Sequence, residues 1–202
     1  YLQRMLDLTW SAVTRATTLR TADRLLTLAV EAWPRLINLY TARSSGHFWE
    51  LMGECLRWAR FGVHLTDPWV VAIAGKPNAG KSSLMNALAG FQRSIVNPSP
   101  GTTRDAVTLD VSFDGWPVRL IDTAGLRESN DELEATGVER ARNVMQQADL
   151  IVHVCDLTDQ PVERIPNSLF VFNKLDLTPT QDWTDENAVA VSALTGAGIE
   201  RL

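Results

Sequence analysis

Residues 70 to 84, VVAIAGKPNAGKSSL, combine a short apolar run, a glycine-containing loop and the start of an apolar helical pattern. The run from Val70 to Ala74 is typical of a strand that is buried on both faces. Gly75 to Ser82 matches the spacing G-x-x-x-x-G-K-[ST] of a phosphate-binding loop, which stands between a strand and a helix. A chance glycine turn is the alternative, and the flanking strand and helix argue against it. We therefore predict a loop that binds nucleotide phosphates.

The residue types in this loop suit that chemistry. Gly75 and Gly80 let the backbone curl so that its N–H groups point at phosphate oxygens, and the helix N-terminus adds its dipole. Lys81 is predicted to neutralise the β- and γ-phosphates during catalysis, and Ser82 is predicted to ligate Mg²⁺. The predicted nucleotide contacts of the loop are Asn78, Ala79, Gly80, Lys81, Ser82 and Ser83.

Strand and helix patterns alternate on the C-terminal side of the loop. Helical stretches are predicted at 82–89 and 134–147, and Asp114-Gly115 is a hairpin turn signal. Strands are predicted at 70–74, 106–113, 118–121, 150–155, 169–172 and 188–191. Strands that alternate with helices predict a mostly parallel α/β sheet in three layers.

The N-terminal third has a different pattern. Apolar residues recur at helical spacing from 2 to 30, and we expect Pro34 to interrupt or kink this helix near its end. A second helical pattern runs from 48 to 59. We therefore divide the chain into a helical domain, 1–67, and a nucleotide-binding domain, 68–202.

Composition narrows the class of protein. Of the 202 residues, 45% are hydrophobic, which allows a packed core, and the net charge of -5 argues against a general nucleic-acid-binding surface. Cys55 and Cys155 lack metal-ligand spacing, so we expect two reduced thiols in a cytoplasmic protein. No apolar run approaches the length of a membrane span. Because the chain begins with Tyr1, we expect it to be a fragment of a longer chain.

Two further segments are expected to sense Mg²⁺ and the γ-phosphate. Asp122 ends a strand and is placed to hold Mg²⁺ through water, while the N–H of Gly125 can bond the γ-phosphate. A turn-capping role for Asp122 is the alternative. In the polar loop 98–105, Thr103 is our choice for the Mg²⁺ ligand that senses the γ-phosphate, with Thr102 as the alternative.

The segments after the last two predicted strands indicate guanine recognition. Asp176 can accept hydrogen bonds from N1–H and N2–H₂ of guanine, and adenine lacks this donor pair. Asn173 is expected to brace the loops, and the stem of Lys174 to lie along the base. Backbone N–H groups of the segment Ser192, Ala193 and Leu194 are expected to reach guanine O6.

One connection is unusually short. Eleven residues separate Asp156 from Ser168, whereas a crossover between parallel strands needs a dozen or more, usually helical. We expect either missing residues in this chain or a crossover reduced to a loop.

The phosphate-binding loop and four further segments resemble those of translation-factor-related GTPases. These segments are PGTTRD at 100–105, LIDTAGLRESNDELEATGVERAR at 120–142, FNKLD at 172–176 and SALTGAG at 192–198. Among these GTPases, the chain is most similar to the tRNA-modification GTPases of the MnmE (TrmE) type, and it also resembles the ribosome-assembly GTPases Era and EngA. The resemblance implies a Ras-like P-loop G domain with a mostly parallel sheet, preceded by an α-helical segment. It also implies hydrolysis of GTP to GDP with Mg²⁺ and K⁺ as cofactors.

The resemblance further implies how water is activated. Leu126 stands where Ras-like proteins keep a water-positioning glutamine, and the family uses a glutamate that matches Glu134. Glu128 and Glu132 are nearby rivals, and all three acids could instead belong to a solvated helix start.

The resemblance also implies that K⁺ replaces an arginine finger and that G domains dimerise across the nucleotide. The implied K⁺ ligands are Asn78, Asn97, Ser99 and Thr102. An ordinary turn role for Asn78 is the alternative. Implied partners are a second copy, an MnmG-like flavoprotein and tRNA, without a membrane.

The family's folate-binding domain and C-x-G-K tail have no counterpart in these residues, so the tRNA-modification role rests on analogy. A ribosome-assembly GTPase, or a nucleotide-dependent binding module of the Era/EngA kind, is the alternative function.

Overall fold

The computed structural model describes residues 2–41, 49–50, 52–53, 56–91, 107–124, 134–156, 168–177 and 188–202. Contacts divide the chain into two compact units, Tyr1–Trp69 with Ser112–Pro117, and Val70–Val111 with Val118–Leu202. Nothing in the sequence marks residues 112–117 as part of the first unit. The domain boundary drawn between residues 67 and 68 stays a prediction.

The first unit is helical. Its described helices are α1 (Leu2–Val13), α2 (Leu19–Thr27), a π-helical turn (Leu28–Ala32), α3 (Trp33–Thr41) and α4 (Ala59–Val63). The prediction of one helix from 2 to 30 is wrong, because a break separates α1 from α2. Thr18 has extended backbone angles there, and its side chain accepts from the N–H of Thr21 while Thr21 accepts in return. This reciprocal capping starts a new helix.

We expected Pro34 to interrupt or kink the helix near its end, but the chain remains helical through Pro34. The disturbance lies one turn earlier, where Leu28–Ala32 is π-helical and the N–H of Trp33 donates to the carbonyl of Leu28. A proline ring crowds the carbonyl four residues before it and lacks an N–H donor. The wider turn accommodates this crowding, so α3 continues to Thr41.

The turn at 114–115 also belongs to the first unit. Asp114 and Gly115 have φ values of 46° and 78°, as a type I′ hairpin turn requires, so the predicted hairpin is confirmed. Arg20 donates to the backbone and side-chain oxygens of Asp114. The hydroxyl of Thr18 donates to the carbonyl of Gly115 at 2.6 Å, and the guanidinium of Arg20 lies 5.3 Å from the ring centroid of Trp116. The N-cap residue Thr18 and Arg20 in the first turn of α2 therefore both hold the hairpin turn.

Most of the second unit is organised by a sheet. The described strands are β1 (Trp69–Gly75), β2 (Val107–Phe113), β3 (Trp116–Asp122), β4 (Leu150–Asp156), β5 (Ser168–Asn173) and β6 (Ala188–Ala190). Their order across the sheet is β2-β3-β1-β4-β5-β6. The pairs β1–β4, β4–β5 and β5–β6 are parallel. The predicted mostly parallel α/β fold is confirmed.

Two described helices accompany the sheet, α5 (Lys81–Phe91) and α6 (Glu134–Gln147). Both confirm the predicted helical stretches. Leu84, Met85 and Leu88 of α5 are buried, as their helical spacing predicted. Ile73 at the centre of β1 has no exposed surface. The apolar side chains of α5 and β1 are thus buried in the core of this unit, beneath the polar loops at the strand ends.

Several predicted features fall outside the described residues. These are residues 48, 51, 54 and 55 of the second helical pattern, the loop 97–105, and the connection 157–167 between β4 and β5. The expectation of a shortened crossover therefore stays a prediction. Cys155 is buried, whereas Cys55 lies outside the described residues.

Candidate nucleotide-binding site

An open cavity of about 530 Å³ lies in the second unit, at the carboxyl end of β1. It is lined by Gly75, Pro77, Asn78, Gly80, Lys81, Ser82, Ser83, Thr123 and Ala124. The first turn of a helix has N–H groups without intrahelical partners. Since α5 begins at Lys81, the cavity combines these donors with an ammonium group and suits an anion.

The loop can curl only because glycines occupy two positions. Gly75 has a φ of +143°, and a Cβ there would lie 2.2 Å from the carbonyl oxygen of Val154. Gly80 has a φ of +92°, and a Cβ there would lie 2.1 Å from Nδ2 of Asn173. Both contacts are far too close for a carbon atom, so each glycine is required by a neighbouring strand end as well as by its own backbone.

Lys81 and Asn78 hold contrasting positions in the loop. Lys81 is only 6% exposed, and its Nζ donates to the carbonyl of Lys76 across the loop at 2.7 Å. Asn78 is exposed and has a left-handed backbone with φ 64°, which asparagine tolerates better than most residues. The loop thus holds its ammonium group inside the curl and presents the Asn78 side chain at the surface.

Ser82 and Asp122 meet at the cavity. The hydroxyl of Ser82 donates to Oδ2 of Asp122 at 2.9 Å, and Oδ1 of Asp122 accepts from the N–H of Ala124 at 2.8 Å. The next residue, Thr123, is buried and bonds the carbonyl of Ile73 through both its N–H and its hydroxyl. This anchoring to β1 fixes the Asp122 carboxylate.

The donor set at this point fits Mg²⁺, which takes oxygen ligands from few protein groups and keeps several waters. Because the Ser82 hydroxyl donates its hydrogen bond to Asp122, its oxygen lone pairs stay available to a metal. Asp122 is only 2% exposed, so its carboxylate is suited to an indirect contact through water.

Asn173 connects three parts of the site. Its side-chain N–H₂ donates to the carbonyl of Ala79 at 3.0 Å, and its side-chain oxygen accepts from the N–H of Ala193 at 2.9 Å. Asn173 is 3% exposed. Its bond to Ala79 is buried and therefore costly to lose, and its bond to Ala193 is partly buried. The amide at the end of β5 therefore holds the phosphate-binding loop to the segment after β6.

Asp176 is held by the segment that follows β6. The hydroxyl of Ser192 donates to Oδ1 of Asp176 at 2.5 Å, and the same hydroxyl oxygen accepts from the N–H of Thr195 at 3.2 Å. Ser192 is fully buried. Ser192, which was predicted to contribute only its backbone N–H, thus also holds the Asp176 carboxylate through its side-chain hydroxyl.

The backbone N–H groups of the same segment differ in their use. The N–H of Ser192 donates to the carbonyl of Ala197, and that of Ala193 is bonded to Asn173. The N–H of Leu194 makes no hydrogen bond within the described residues, and the side chain of Leu194 is 84% exposed. Of the three groups predicted to reach guanine O6, Leu194 therefore offers the N–H that the protein leaves open.

Sequence reasoning missed two residues that support the site. Thr123 ties the Asp122 segment to β1, and Asp156 accepts a hydrogen bond from Nζ of Lys174 at 2.5 Å. Asp156 ends β4 and faces Asn173 in the strand register. The sequence signal for Asp156 was an acidic residue at the carboxyl end of a predicted strand. Its partner, Lys174, could not be predicted, because it depends on the pairing of β4 with β5.

His153 of β4 is close enough to Lys81 to be affected by its charge. Burial, and then the positive charge of Lys81, hold the pKa of His153 below its usual value. Its ring packs against Phe170 at a centroid distance of 5.4 Å. Its Nδ1 is buried without a hydrogen-bond partner among the described residues. Both effects favour the uncharged form of the imidazole beside Lys81.

Other predicted site residues cannot be placed. Gly125, Thr103, Asn97, Ser99 and Thr102 lie outside the described residues. So do Leu126, Glu128 and Glu132. Glu134 is the first residue of α6, and the position of its side chain is not described.

A sequence model of the 50S ribosome-binding GTPase family matches residues 70–181. This range contains the phosphate-binding loop, the Ser82–Asp122 pair and the segment from Asn173 to Asp176. The chain belongs to this GTPase family. The strand order and the family match together identify the second unit as a P-loop G domain.

This GTPase is similar to curated relatives named tRNA modification GTPase MnmE. The relative from Xanthomonas campestris pv. campestris is 43% identical, with coverage of 75% of this chain and 36% of the relative. The relative from Bordetella parapertussis is 44% identical, with coverage of 71% and 34%. The resemblance predicted from the motifs is confirmed, and the chain spans about a third of the length of these relatives.

Solved structures similar to this GTPase include the G domain of the FeoB iron transporter of T. maritima. It has a TM-score of 0.49, is 24% identical and covers 67% of this chain and 94% of that one. None of the helices in the described parts of the chain has the length and apolar character needed to cross a bilayer.

Proposed function

We propose that this chain is the catalytic G domain of a tRNA-modification GTPase, binding GTP with Mg²⁺ and hydrolysing it with the help of K⁺ and of a second G domain. One observation carries the nucleotide assignment. The buried Asn173 amide joins the phosphate-binding loop to the segment whose Ser192 holds the Asp176 carboxylate. A phosphate site and a base site are therefore fixed relative to each other within one unit.

Guanine is the base that suits the Asp176 carboxylate. Each carboxylate oxygen has two lone pairs, so Oδ1 can accept from Ser192 and from a ligand at once. Guanine offers N1–H and N2–H₂ side by side, whereas adenine would leave the carboxylate unpaired. The open N–H of Leu194 supplies a donor for O6. GTP and GDP should therefore bind and ATP should not.

The base assignment is tested by competition between nucleotides. Asp176→Asn exchanges an acceptor for a donor and should shift the preference from guanine toward xanthine nucleotides. Ser192→Ala is the matched control, because it removes the support of the carboxylate without changing its chemistry. It should weaken GDP binding while the guanine preference remains. ATP binding as tightly as GTP to the unaltered chain would refute the assignment.

The phosphate side has separate tasks for its residues. Lys81 would leave the carbonyl of Lys76 for the β- and γ-phosphates, and Ser82 with Asp122 would hold Mg²⁺, which neutralises charge on the phosphate oxygens when bound. Thr103 and the N–H of Gly125 would contact the γ-phosphate side. Glu134 would orient the attacking water, because Leu126 has no group that can do so.

The K⁺ part of the proposal rests on the family resemblance and on the exposed Asn78. No arginine stands in the phosphate-binding loop, and a cation supplied in that role is typically worth ~10³–10⁵ in rate. Asn78, with oxygens of the loop 97–102, would hold the ion, and a second G domain would close over it. Hydrolysis should then be faster in K⁺ than in Na⁺ and should rise with protein concentration.

The effect of K⁺ is measured as the single-turnover rate of GTP hydrolysis in K⁺ and Na⁺ buffers of matched ionic strength. Asn78→Ala should remove the K⁺ response and leave GDP binding nearly unchanged, since Lys81 and Asp176 are intact. Equal rates in the two buffers, at concentrations where the parent protein is dimeric, would contradict the K⁺ proposal.

The tRNA role follows from the names of the relatives and concerns the parent protein. We propose that GTP turnover is coupled to tRNA modification in the cytoplasm, together with a flavoprotein partner. Mass spectrometry of tRNA nucleosides, from cells whose parent protein carries Asp176→Asn, should show the loss of a modified nucleoside. Unchanged nucleosides together with altered ribosomal subunit profiles would instead favour a ribosome-assembly role.

A further inference from the structure

Lys174 has a constrained position between the two halves of the site. It follows β5 directly, and its backbone is left-handed with φ 70°. Its Nζ donates to Oδ2 of Asp156 at 2.5 Å. The two side chains are 32% and 19% exposed, so the pair is partly shielded from water and both ends of the lysine are fixed.

The strand register explains why this pair forms. Asp156 is the last residue of β4 and lies opposite Asn173, the last residue of β5. Lys174 is thus one residue beyond the point at which the two strands end together. Its four methylene groups must span the distance from its own backbone to the carboxylate on the neighbouring strand. The ion pair therefore selects one path for the lysine stem.

Lys174 is flanked in the chain by two residues of the proposed base site. Lys174 stands between Asn173, which is bonded to Ala79 and Ala193, and Asp176, which Ser192 holds. A lysine stem can present apolar surface while its charged head stays paired elsewhere. Here the ammonium group of Lys174 is bonded to Asp156, so its methylene groups can provide an apolar surface for the base.

We propose that Asp156 is a positioning residue for guanine nucleotides. Its carboxylate fixes the Lys174 side chain in advance, so that the stem forms one wall of the base site before the nucleotide arrives. This inference rests on the proposed binding of GTP and GDP at this site. Without Asp156, the nucleotide itself must order the lysine.

The expected effect follows from side-chain entropy. Fixing one lysine side chain costs conformational freedom equivalent to about a ten-fold to thirty-fold change in an equilibrium constant. Asp156→Ala should therefore raise the dissociation constant for GDP by about ten-fold. Most of this change should appear as faster dissociation, because related complexes differ mainly in their dissociation rates.

The experiment measures dissociation of a fluorescent GDP analogue from the intact chain. The variants are Asp156→Ala, Lys174→Met and the combination of both. If Asp156 acts through Lys174, adding Asp156→Ala to Lys174→Met should accelerate dissociation no further. A purely structural carboxylate would act in both backgrounds, so effects that multiply would overturn the proposal. A dissociation rate within two-fold of the unaltered chain for Asp156→Ala would overturn it as well.

Controls separate this test from the folding of the chain. Asp110→Ala is the matched control, since Asp110 also carries an ion pair, with Arg119 on the β2–β3 hairpin, and it should leave GDP dissociation unchanged. Asp156→Asn keeps the shape of the side chain and removes the charge, and it replaces Asp156→Ala if that variant does not fold. It should show a smaller acceleration in the same direction, and no acceleration would refute the role of the charge.

The outcome also distinguishes two failures. If the unaltered chain does not bind GDP, the proposed function itself is wrong. If it binds GDP and the Asp156 variants dissociate at the same rate, only the positioning role is wrong.

Discussion

Gly80→Ala tests the packing that fixes the phosphate-binding loop. A methyl group there would lie 2.1 Å from Nδ2 of Asn173, and the backbone has a φ of +92°. Side chains rarely adopt such a backbone, and the strain is about 1–3 kcal/mol. The cheapest relief of the clash is rotation of the Asn173 amide, which gives up its bond to the carbonyl of Ala79.

That rotation leaves a buried carbonyl unpaired, at about 1–3 kcal/mol. The two terms together amount to about 2–6 kcal/mol. At about 1.4 kcal/mol for each factor of ten, GDP binding should weaken by about 30-fold to about 20,000-fold if the strain is relieved in the nucleotide-free state. Thermal unfolding without nucleotide shows the part of the cost that falls on stability instead.

The measurement is titration with a fluorescent GDP analogue, together with thermal unfolding. Gly90→Ala is the matched control, because Gly90 lies in α5, the helix that follows Gly80, and an added Cβ there meets nothing within 4 Å. It should leave binding unchanged and raise stability by about 0.5–1 kcal/mol. If Gly80→Ala binds GDP within three-fold of the unaltered chain and unfolds at the same temperature, the described contact with Asn173 is wrong.

Three further substitutions test other parts of the structure. Thr18→Ala removes the cap of α2 and the hydrogen bond to the hairpin turn. It should lower the free energy of unfolding, measured in urea, by about 1–2 kcal/mol. The control Thr27→Ala, at the other end of the helix, should lower it by less than half as much. Because burial and Lys81 lower the pKa of His153 in the folded state, the unfolded chain takes up a proton first, so stability should fall as the pH drops below about 6.5. His153→Phe should flatten this part of the stability profile, and an identical profile for both proteins would contradict the assignment. Asn173→Ala should cost about 2–6 kcal/mol, divided between unfolding free energy and GDP binding, because one buried and one partly buried backbone group lose their partner. Unchanged melting and binding would contradict a role for this bridge.

Local patterns in the sequence determined most of the architecture. The strand and helix positions of the second unit followed from apolar runs and helical spacing, which depend on near neighbours in the chain. The phosphate-binding loop, Asp122 and Asp176 followed from spacing relative to strand ends. In the first unit the same reasoning joined α1 to α2, because the apolar spacing continues across the break. The capping by Thr18 and the contacts of α2 with residues 114 and 115 override that spacing.

Only the tertiary structure decided which distant groups meet. Asn173 bonds Ala79, 94 residues away in the chain, and this contact is one reason why position 80 must be glycine. Asp156 reaches Lys174 only because β4 and β5 pair in parallel with their ends aligned. No period or motif encodes such partners, since they depend on strand order and register. The sequence alone predicted which residues bind phosphate and guanine, whereas the fold supplied the contacts that hold these residues in place.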